Sequence, residues 1–248
     1  MWLTHKFDVL YDATLALVYP QACAVCGAAH VERRADAPAC APCWRATRIF
    51  TGAETCCWKC GALALAELPA EQRADVRCRR CDAEAFTAAR AVGVYEGALR
   101  AAVLTLKRTP HVGAQLGHLL FIAQQRPPIA GATRIIPVPL HPERQRERGF
   151  NQAAVLAQAV ARRTGLPLDE RSLVRTTHTA QHRAGMDARA RRETVATAFE
   201  VARPRLVAGE TILLVDDVYT TGATVSACAH ALTEAGATAV SVLTVARA

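Results

Sequence analysis

One stretch, residues 211–224, restricts the fold of this chain more than any other feature of its sequence. Residues 212–215 form an apolar run, Asp216 and Asp217 follow it, and a hydroxyl-rich turn with Gly222 leads into a helical pattern. An apolar strand that passes through a short turn into a helix is typical of parallel α/β sheets, which place ligands at the carboxyl ends of their strands. We therefore expect an α/β domain with a binding site at this turn.

The residue types in this stretch suit a sugar phosphate. Gly222 lets the backbone approach a phosphate closely, and the start of a helix offers free N–H groups and the positive end of a dipole. Asp216 and Asp217 repel a phosphate but suit the vicinal hydroxyls of a ribose, so the stretch predicts a site for ribose 5-phosphate. The predicted phosphate-binding residues are Val218, Tyr219, Thr220, Thr221, Gly222, Ala223 and Thr224.

Alternating strands and helices continue over residues 91–248. The patterns predict strands at 91–95, 133–140, 198–201, 210–218 and 239–245, and helices at 97–106, 151–163 and 223–235. Asn151 can cap the second of these helices and Gly165 can end it. We predict a central, mostly parallel sheet flanked by helices. Residues 175–197 carry several arginines and little apolar periodicity, which predicts a long polar loop.

Nine of the ten cysteines precede residue 82, and eight of these nine form four C-x-x-C pairs. Paired thiols at this spacing converge on one tetrahedral ion, and thiolates favour Zn²⁺. Four pairs within about sixty residues predict two structural zinc ions in a small double zinc-ribbon-like module over residues 1–90. The predicted ligands are Cys23, Cys26, Cys40, Cys43, Cys57, Cys60, Cys78 and Cys81.

The pairing of these cysteines stays open at the level of sequence. Sequential pairing joins the first pair to the second and the third to the fourth, whereas a cross-braced arrangement joins the first to the third. Cys56 could replace Cys57 as a ligand, and Cys228 is expected to be a buried core residue. Gly27 and Gly61 each follow a pair directly, as a tight knuckle turn prefers.

Charge and hydropathy exclude some classes of protein. The formal net charge is +8, which can serve solubility or attract polyanions such as phosphorylated small molecules or nucleic acid, and the charge does not choose between the two. No run of 18 apolar residues is present, so we expect no membrane span. Acidic residues interrupt the apolar positions of residues 1–20, which predicts an amphipathic docking helix rather than a signal peptide. We expect a cytoplasmic protein.

The stretch from strand to helix resembles the signature of type I phosphoribosyltransferases, which bind 5-phosphoribosyl-1-pyrophosphate (PRPP). That signature is an apolar strand followed by D-D-x-x-x-T-G-x-T. A Pro-Val-Pro segment at 137–139, followed by an arginine and an R-G-F-N-Q run, is similar to a second signature, that of the ComF family. The residues that carry it are Arg144, Arg148, Gly149, Phe150, Asn151 and Gln152. ComF proteins also carry a cysteine-rich zinc module before a phosphoribosyltransferase domain.

The resemblance implies a fold, an activity and further site residues. It implies a type I phosphoribosyltransferase fold that uses PRPP and Mg²⁺, displaces pyrophosphate by a nitrogen nucleophile, and acts through Asp216, Asp217 and Lys107. Lys107 and Arg108 resemble a basic loop that contacts pyrophosphate. A mobile loop would include Gln181, Arg189, Arg191 and Arg192, although Thr194 replaces an asparagine that many family members have there.

A binding protein is the alternative to an enzyme. The ComF resemblance implies a role in DNA uptake, with single-stranded DNA and competence helicase-type proteins as partners, and this fold often forms homodimers. A non-catalytic sensor of ribose phosphates would use the same site. Aromatic residues are only 5% of the chain, so few stacking platforms exist for bases. We expect Trp44, Trp58 and Phe150 to be packing residues rather than stacking platforms.

Overall fold

Six strands, β1 to β6, lie within the described residues of the computed structural model, which cover 21–27, 31, 34–176 and 198–248. Their bounds are Ala88–Val94, Arg134–Pro137, Leu173–Arg175, Phe199–Val201, Thr211–Tyr219 and Ala239–Arg247. Four of them form one sheet in the order β1-β6-β5-β2, with every pair parallel. The other two, β3 and β4, form a small antiparallel pair. The predicted parallel sheet is confirmed.

Six α-helices, α1 to α6, lie in the same described ranges. Their bounds are Ala41–Ala46, Gly97–Leu106, Ala114–Gln124, Pro142–Arg148, Gln152–Thr164 and Ala223–Glu234. Helix α2 has the predicted bounds, and α5 and α6 lie within a residue of theirs. Asn151 caps α5 as predicted, because its Oδ1 accepts from the Ala153 N–H at 3.0 Å. Gly165 ends α5 in a left-handed conformation with φ 73°.

Three helices, α1, α3 and α4, and one strand, β3, are not predicted by the sequence pattern. Helix α3 is apolar on most of its surface, and α4 reads PERQRER, so neither shows the contrast between faces that identifies an amphipathic helix. The predicted loop at 175–197 begins too early, because Arg175 belongs to the three-residue strand β3. Residues 1–20, with their predicted helix, and 177–197, with Gln181, Arg189, Arg191 and Arg192, lie outside the described residues.

The sheet separates two apolar layers. Leu213 and Val215 of β5 face the layer that contains α2, α3 and α5, whereas Ile212 and Leu214 face the layer that contains α6. This alternation is what a strand buried on both faces requires. Because β5 is central and packed on both faces, these two layers fix where its carboxyl end lies in the sheet.

The cysteine-rich region shares these layers. Cys23, Cys40 and Trp44 belong to the α2–α3 layer, while Cys57 and Cys60 belong to the α6 layer. The region also covers the free edge of β1. The Phe50 N–H donates to the Val92 carbonyl at 2.8 Å, and the Val94 N–H donates to the Arg48 carbonyl at 3.0 Å. The two parts of the chain therefore pack as one core.

Among the helices of the described ranges, none combines the length and the apolar character that a membrane crossing needs.

Candidate functional site

The predicted phosphate turn connects the central strand to a helix. Strand β5 ends at Tyr219 and α6 begins at Ala223, so only three residues separate them. Gly222 caps the helix with φ 86°, a left-handed conformation that glycine adopts without steric cost. Thr221 Oγ1 accepts from the Ala223 N–H at 3.4 Å. The turn thus presents hydroxyls and the amino end of a 12-residue helix at one place.

Tyr219 supports this turn from inside the core. Its ring is 5% exposed, meets the Phe86 ring edge-on at a centroid distance of 6.1 Å, and lies under the Arg247 guanidinium at 4.4 Å. A Cβ on Gly222 would press on the Tyr219 hydroxyl and lie 2.9 Å from Cζ. The Gly222 backbone therefore packs directly against the Tyr219 ring, and the position of that ring limits how deep the turn can lie.

The acid pair lies at the carboxyl end of β5, next to the loop after α2. Asp217 is 8% exposed, and its Oδ2 lies 3.5 Å from Nζ of Lys107. Asp216 Oδ1 accepts from the Asp217 N–H at 2.9 Å, and Asp217 Oδ1 accepts from the Val218 N–H at 2.8 Å. Three of the residues predicted to act on PRPP thus lie together.

The two carboxyl groups have unequal electrostatic surroundings. Burial raises the pKa of Asp216 well above its usual range, and the neighbouring charge of Asp217 raises it further. The Asp217 N–H and Lys107 oppose this rise only in part. At neutral pH one carboxyl of the pair is therefore strongly biased towards its protonated form. Such a pair suits a ligand that brings both hydroxyl donors and a cation.

The R-G-F-N-Q run reaches the same place. Gly149, with φ 81°, ends α4, and Asn151 Nδ2 donates to the Val138 carbonyl at 2.9 Å, just beyond β2. Gln152, the first residue of α5, donates from Nε2 to Asp217 Oδ2 at 3.5 Å. Arg148 donates to Gln152 Oε1. The run therefore links two strand ends and contacts the same carboxylate oxygen, Oδ2 of Asp217, as Lys107 does.

Other predicted residues are less closely placed. Arg108 and Arg144 are exposed, as are Thr220 and Thr221, while Thr224 and Phe150 are half-buried. Sequence reasoning missed Arg175, whose guanidinium lies 5.4 Å above the Phe199 ring and whose charge acts on Asp216. It also missed the contact of Gln152 with Asp217. The position of Gln152 at a helix start beside a strand end was the one available signal.

Two groups of four thiols form the second candidate site. Within each group all ligand atoms lie within 4.8 Å of one another. The first group is Cys23, Cys26, Cys40 and Cys43, and the second is Cys57, Cys60, Cys78 and Cys81. Sγ–Sγ distances of 3.5 Å for Cys60–Cys78 and 3.6 Å for Cys57–Cys81 approach the roughly 3.8 Å edge of a tetrahedron with zinc–sulfur bonds of about 2.3 Å. Both groups fit a zinc ion.

These groups settle what the sequence left open. The pairing is sequential, not cross-braced, and Cys57 rather than Cys56 belongs to the second group. The Gly27 and Gly61 N–H groups donate to the Cys23 and Cys57 carbonyls at 2.9 and 2.8 Å, which closes both knuckle turns. Cys228 is fully buried in α6, as predicted.

Local hydrogen bonds prepare one thiol in each group for a cation. Burial opposes ionisation of Cys23 and Cys57, but N–H donors in their knuckles outweigh it and lower the pKa of each to about 6. For Cys57 these donors include the backbone of Cys60 and Cys78. A buried thiolate that is stable near neutral pH requires a positive partner, and a thiophilic cation at the centre of each group supplies one.

Comparison with known proteins places the chain in a family. A model of the phosphoribosyl transferase domain matches residues 151–248. The DNA utilization protein YhgH of Escherichia coli (strain K12) is 34% identical over 212 residues, which cover 82% of this chain and 87% of that protein. Competence protein ComFC of Bacillus subtilis (strain 168) is 36% identical over 102 residues, or 41% of this chain and 39% of that protein. The chain belongs to the ComF family.

Solved structures resemble this ComF protein more remotely. Glutamine phosphoribosylpyrophosphate (PRPP) amidotransferase from B. subtilis, complexed with ADP and GMP, aligns with 58% of the chain at 19% identity and a TM-score of 0.38. That alignment covers 30% of the amidotransferase. In this ComF protein the family's R-G-F-N-Q run acts as a brace, because its Asn151 and Gln152 contact the ends of β2 and β5.

Proposed function

We propose that this ComF protein binds PRPP with Mg²⁺ at the carboxyl end of β5 and transfers ribose 5-phosphate to a nitrogen acceptor. The observation that carries the proposal is the spacing of two unlike groups on one short segment. The carboxylates of Asp216 and Asp217 precede, by a few residues, a glycine turn at the start of α6. A diol and a 5-phosphate lie at opposite ends of the PRPP ribose, so one molecule can contact both.

The turn is suited to the 5-phosphate. Gly222 allows the left-handed turn that starts α6, and the first N–H groups of α6 lack helical partners and can donate to phosphate oxygens. Thr220 and Thr221 add exposed hydroxyls. No positive side chain is needed at this end, because the helix start itself attracts an anion.

The acid pair is suited to the ribose hydroxyls. Each vicinal hydroxyl donates to a carboxylate oxygen, and Gln152 keeps Asp217 oriented for this contact. Oxygen ligands at this edge are the kind that Mg²⁺ prefers, and the ion when bound would neutralise charge on the pyrophosphate. The ammonium of Lys107 lies 3.5 Å from Oδ2 of Asp217, and this positive charge beside the pair supports a cation at the same edge.

Lys107 is suited to the leaving group. As the bond from C1 to the pyrophosphate oxygen breaks, its electron pair leaves with pyrophosphate, and the nitrogen acceptor bonds to C1 and then loses a proton to water. Negative charge grows on pyrophosphate during this step, and an ammonium group positioned beforehand stabilises that charge. Lys107 lies at the end of α2 on a half-exposed stem, from which it can turn from Asp217 to pyrophosphate.

Two zinc ions are proposed as structural elements of the same protein. Each would be held by four thiols of one group and would have no open position for a substrate. Eight thiols in ligand geometry also suit a reducing compartment, which supports the predicted cytoplasmic location.

A DNA-binding role is the second candidate. The names of its relatives refer to DNA utilization and competence, and the chain carries a net charge of +8. Trp44 is buried and so cannot stack on a base, and the Arg90 guanidinium, 5.2 Å from the Trp58 ring centroid, covers one face of that ring. Binding of single-stranded DNA would therefore depend mainly on charge. The helicase-type partner and the homodimer stay predictions.

One experiment separates these candidates. We expect calorimetry with PRPP and Mg²⁺ to show binding that Asp217→Asn weakens at least about tenfold, since the variant removes an ionised acceptor for ribose. The exposed Glu200→Gln on β4 is the matched control and should bind normally. Release of pyrophosphate with a supplied nucleobase would establish transfer, and binding without release would indicate a sensor. Absence of PRPP binding would refute the proposal, and a steep salt dependence of DNA binding would then favour the second candidate.

A further inference from the structure

A cavity of about 350 Å³ lies at the β1 edge of the sheet, beside the second thiol group. Arg90 and Ala91 of β1 line it, together with the segment around residues 50–63 and Arg126, which follows α3. Strand β6 separates β1 from β5, so this cavity is distinct from the proposed PRPP site. Its volume falls in the range of small-molecule sites.

The walls of this cavity are partly apolar. Phe50, Trp58 and Leu63 line it, and Leu63 keeps 41% of its surface exposed. The Arg90 guanidinium lies over the Trp58 ring at 5.2 Å and donates to the Trp58 carbonyl at 2.9 Å, which fixes that ring. A flat apolar body can lie against these side chains.

Arg126 supplies an unused donor. Its Nε is buried and has no hydrogen-bond partner within the described ranges. A buried N–H of a charged group that finds no acceptor is costly, and a ligand oxygen would remove that cost. A guanidinium fork matches the two oxygens of a carboxylate or a phosphate.

The remaining charges favour an anion. Arg73, Arg90 and Arg126 oppose a single carboxylate, that of Glu54, in the lining of the cavity. Glu54 is already engaged, because its carboxylate accepts from the Thr51 and Gly52 N–H groups at 2.6 and 2.9 Å. The cavity therefore has an excess of positive charge.

We propose that this cavity binds a small organic anion, a carboxylate or phosphate carried on a flat aromatic body. Arg126 would hold the acid group, and the side chains of Phe50, Trp58 and Leu63 would contact the ring. The zinc module would then contribute a ligand site of its own in addition to its structural role.

The test uses fluorine NMR of two probes on the full chain. 4-Fluorobenzoate and 4-fluorophenyl phosphate distinguish the two acid groups, and 4-fluorobenzyl alcohol lacks the charge. We expect saturable line broadening for at least one acid and none for the alcohol. Arg126→Gln should weaken that binding at least about tenfold, while the exposed Arg205→Gln control should not change it.

Thermal unfolding and a second variant distinguish loss of the cavity contact from loss of the fold. Arg126→Gln removes an unpaired donor but also the attraction between Arg126 and Glu54, so its thermal midpoint should stay close to that of the wild type. Leu63→Ser alters an exposed wall and should weaken binding of the same acid several-fold. If neither acid binds saturably, or if both variants bind as well as the wild type, the proposal is wrong. Asp217→Asn should leave binding of the fluorinated acid intact while it weakens PRPP binding, which separates the two sites.

Discussion

At the scale of single residues, the acid pair carries the most information. Two side chains, Lys107 and Gln152, contact Oδ2 of Asp217, whereas Asp216 accepts a hydrogen bond from the backbone N–H of its neighbour. The raised pKa of Asp216 therefore reflects a cost that the protein bears without ligand. Ligand sites commonly keep such a cost, because the groups that would relieve it belong to the ligand.

The pH dependence of Asp216→Asn follows from this cost. The pKa of Asp216 is higher in the folded than in the unfolded protein, so protonation of this carboxyl stabilises the fold. This contribution to the free energy of unfolding is complete below the usual aspartate pKa and is lost as the pH rises through the raised value. We expect Asp216→Asn to be more stable than the wild type at alkaline pH, by on the order of 1 kcal/mol, and nearly equal at pH 4. Urea unfolding across this pH range measures the difference.

Asp216→Asn should weaken PRPP binding, although it stabilises the fold at alkaline pH. PRPP needs carboxylate acceptors, so its affinity should increase as the pH rises through the pKa of Asp216. The variant should bind PRPP more weakly and with a flatter pH profile. Equal pH profiles for variant and wild type would contradict the assigned role of Asp216.

At the scale of elements, the strand, turn and helix from β5 to α6 behave as one unit. Tyr219 ends the strand on the core side, and Gly222 starts the helix directly above it. The sequence shows both residues but not their contact, because that contact depends on where Phe86 and Arg247 place the ring. A glycine that appears to serve only the ligand also serves the packing.

Gly222→Ala tests this double role. A left-handed φ and the contact with Tyr219 should together destabilise the fold by about 1–3 kcal/mol and weaken PRPP binding. Adding Tyr219→Phe removes the atom nearest to the new Cβ and should restore part of the stability. Thermal unfolding of the single and double variants measures this coupling, and a double variant that only sums the two losses would contradict it.

At the scale of the whole molecule, the thiol groups and the sheet share one core. The first group joins the layer of α2 and α3, and the second joins the layer of α6. Arg247, at the end of β6, donates to the Cys60 carbonyl at 2.6 Å and stacks on Tyr219. A contact chain of two steps therefore leads from the second thiol group to the phosphate turn.

Cys57→Ser and Cys56→Ser form a matched pair for this arrangement. We expect metal analysis to give about two zinc ions per wild-type chain and about two for Cys56→Ser, since Cys56 lies outside the group. Cys57→Ser should lose one ion and several kcal/mol of stability. It should also weaken PRPP binding through Arg247 and Tyr219. Retention of both ions by Cys57→Ser would contradict the ligand set.

The amino-acid sequence by itself determined the fold class and the local chemistry of both sites. The strand at 211–219, its acid pair, the glycine turn and the C-x-x-C knuckles are encoded within short segments, so their patterns are readable without a fold. Only the tertiary structure decided which thiols share a group, that Gln152 and Lys107 meet Asp217, and that Arg126 borders a cavity. These facts join residues distant in sequence, and the packing of helices and strands around the sheet sets their distances.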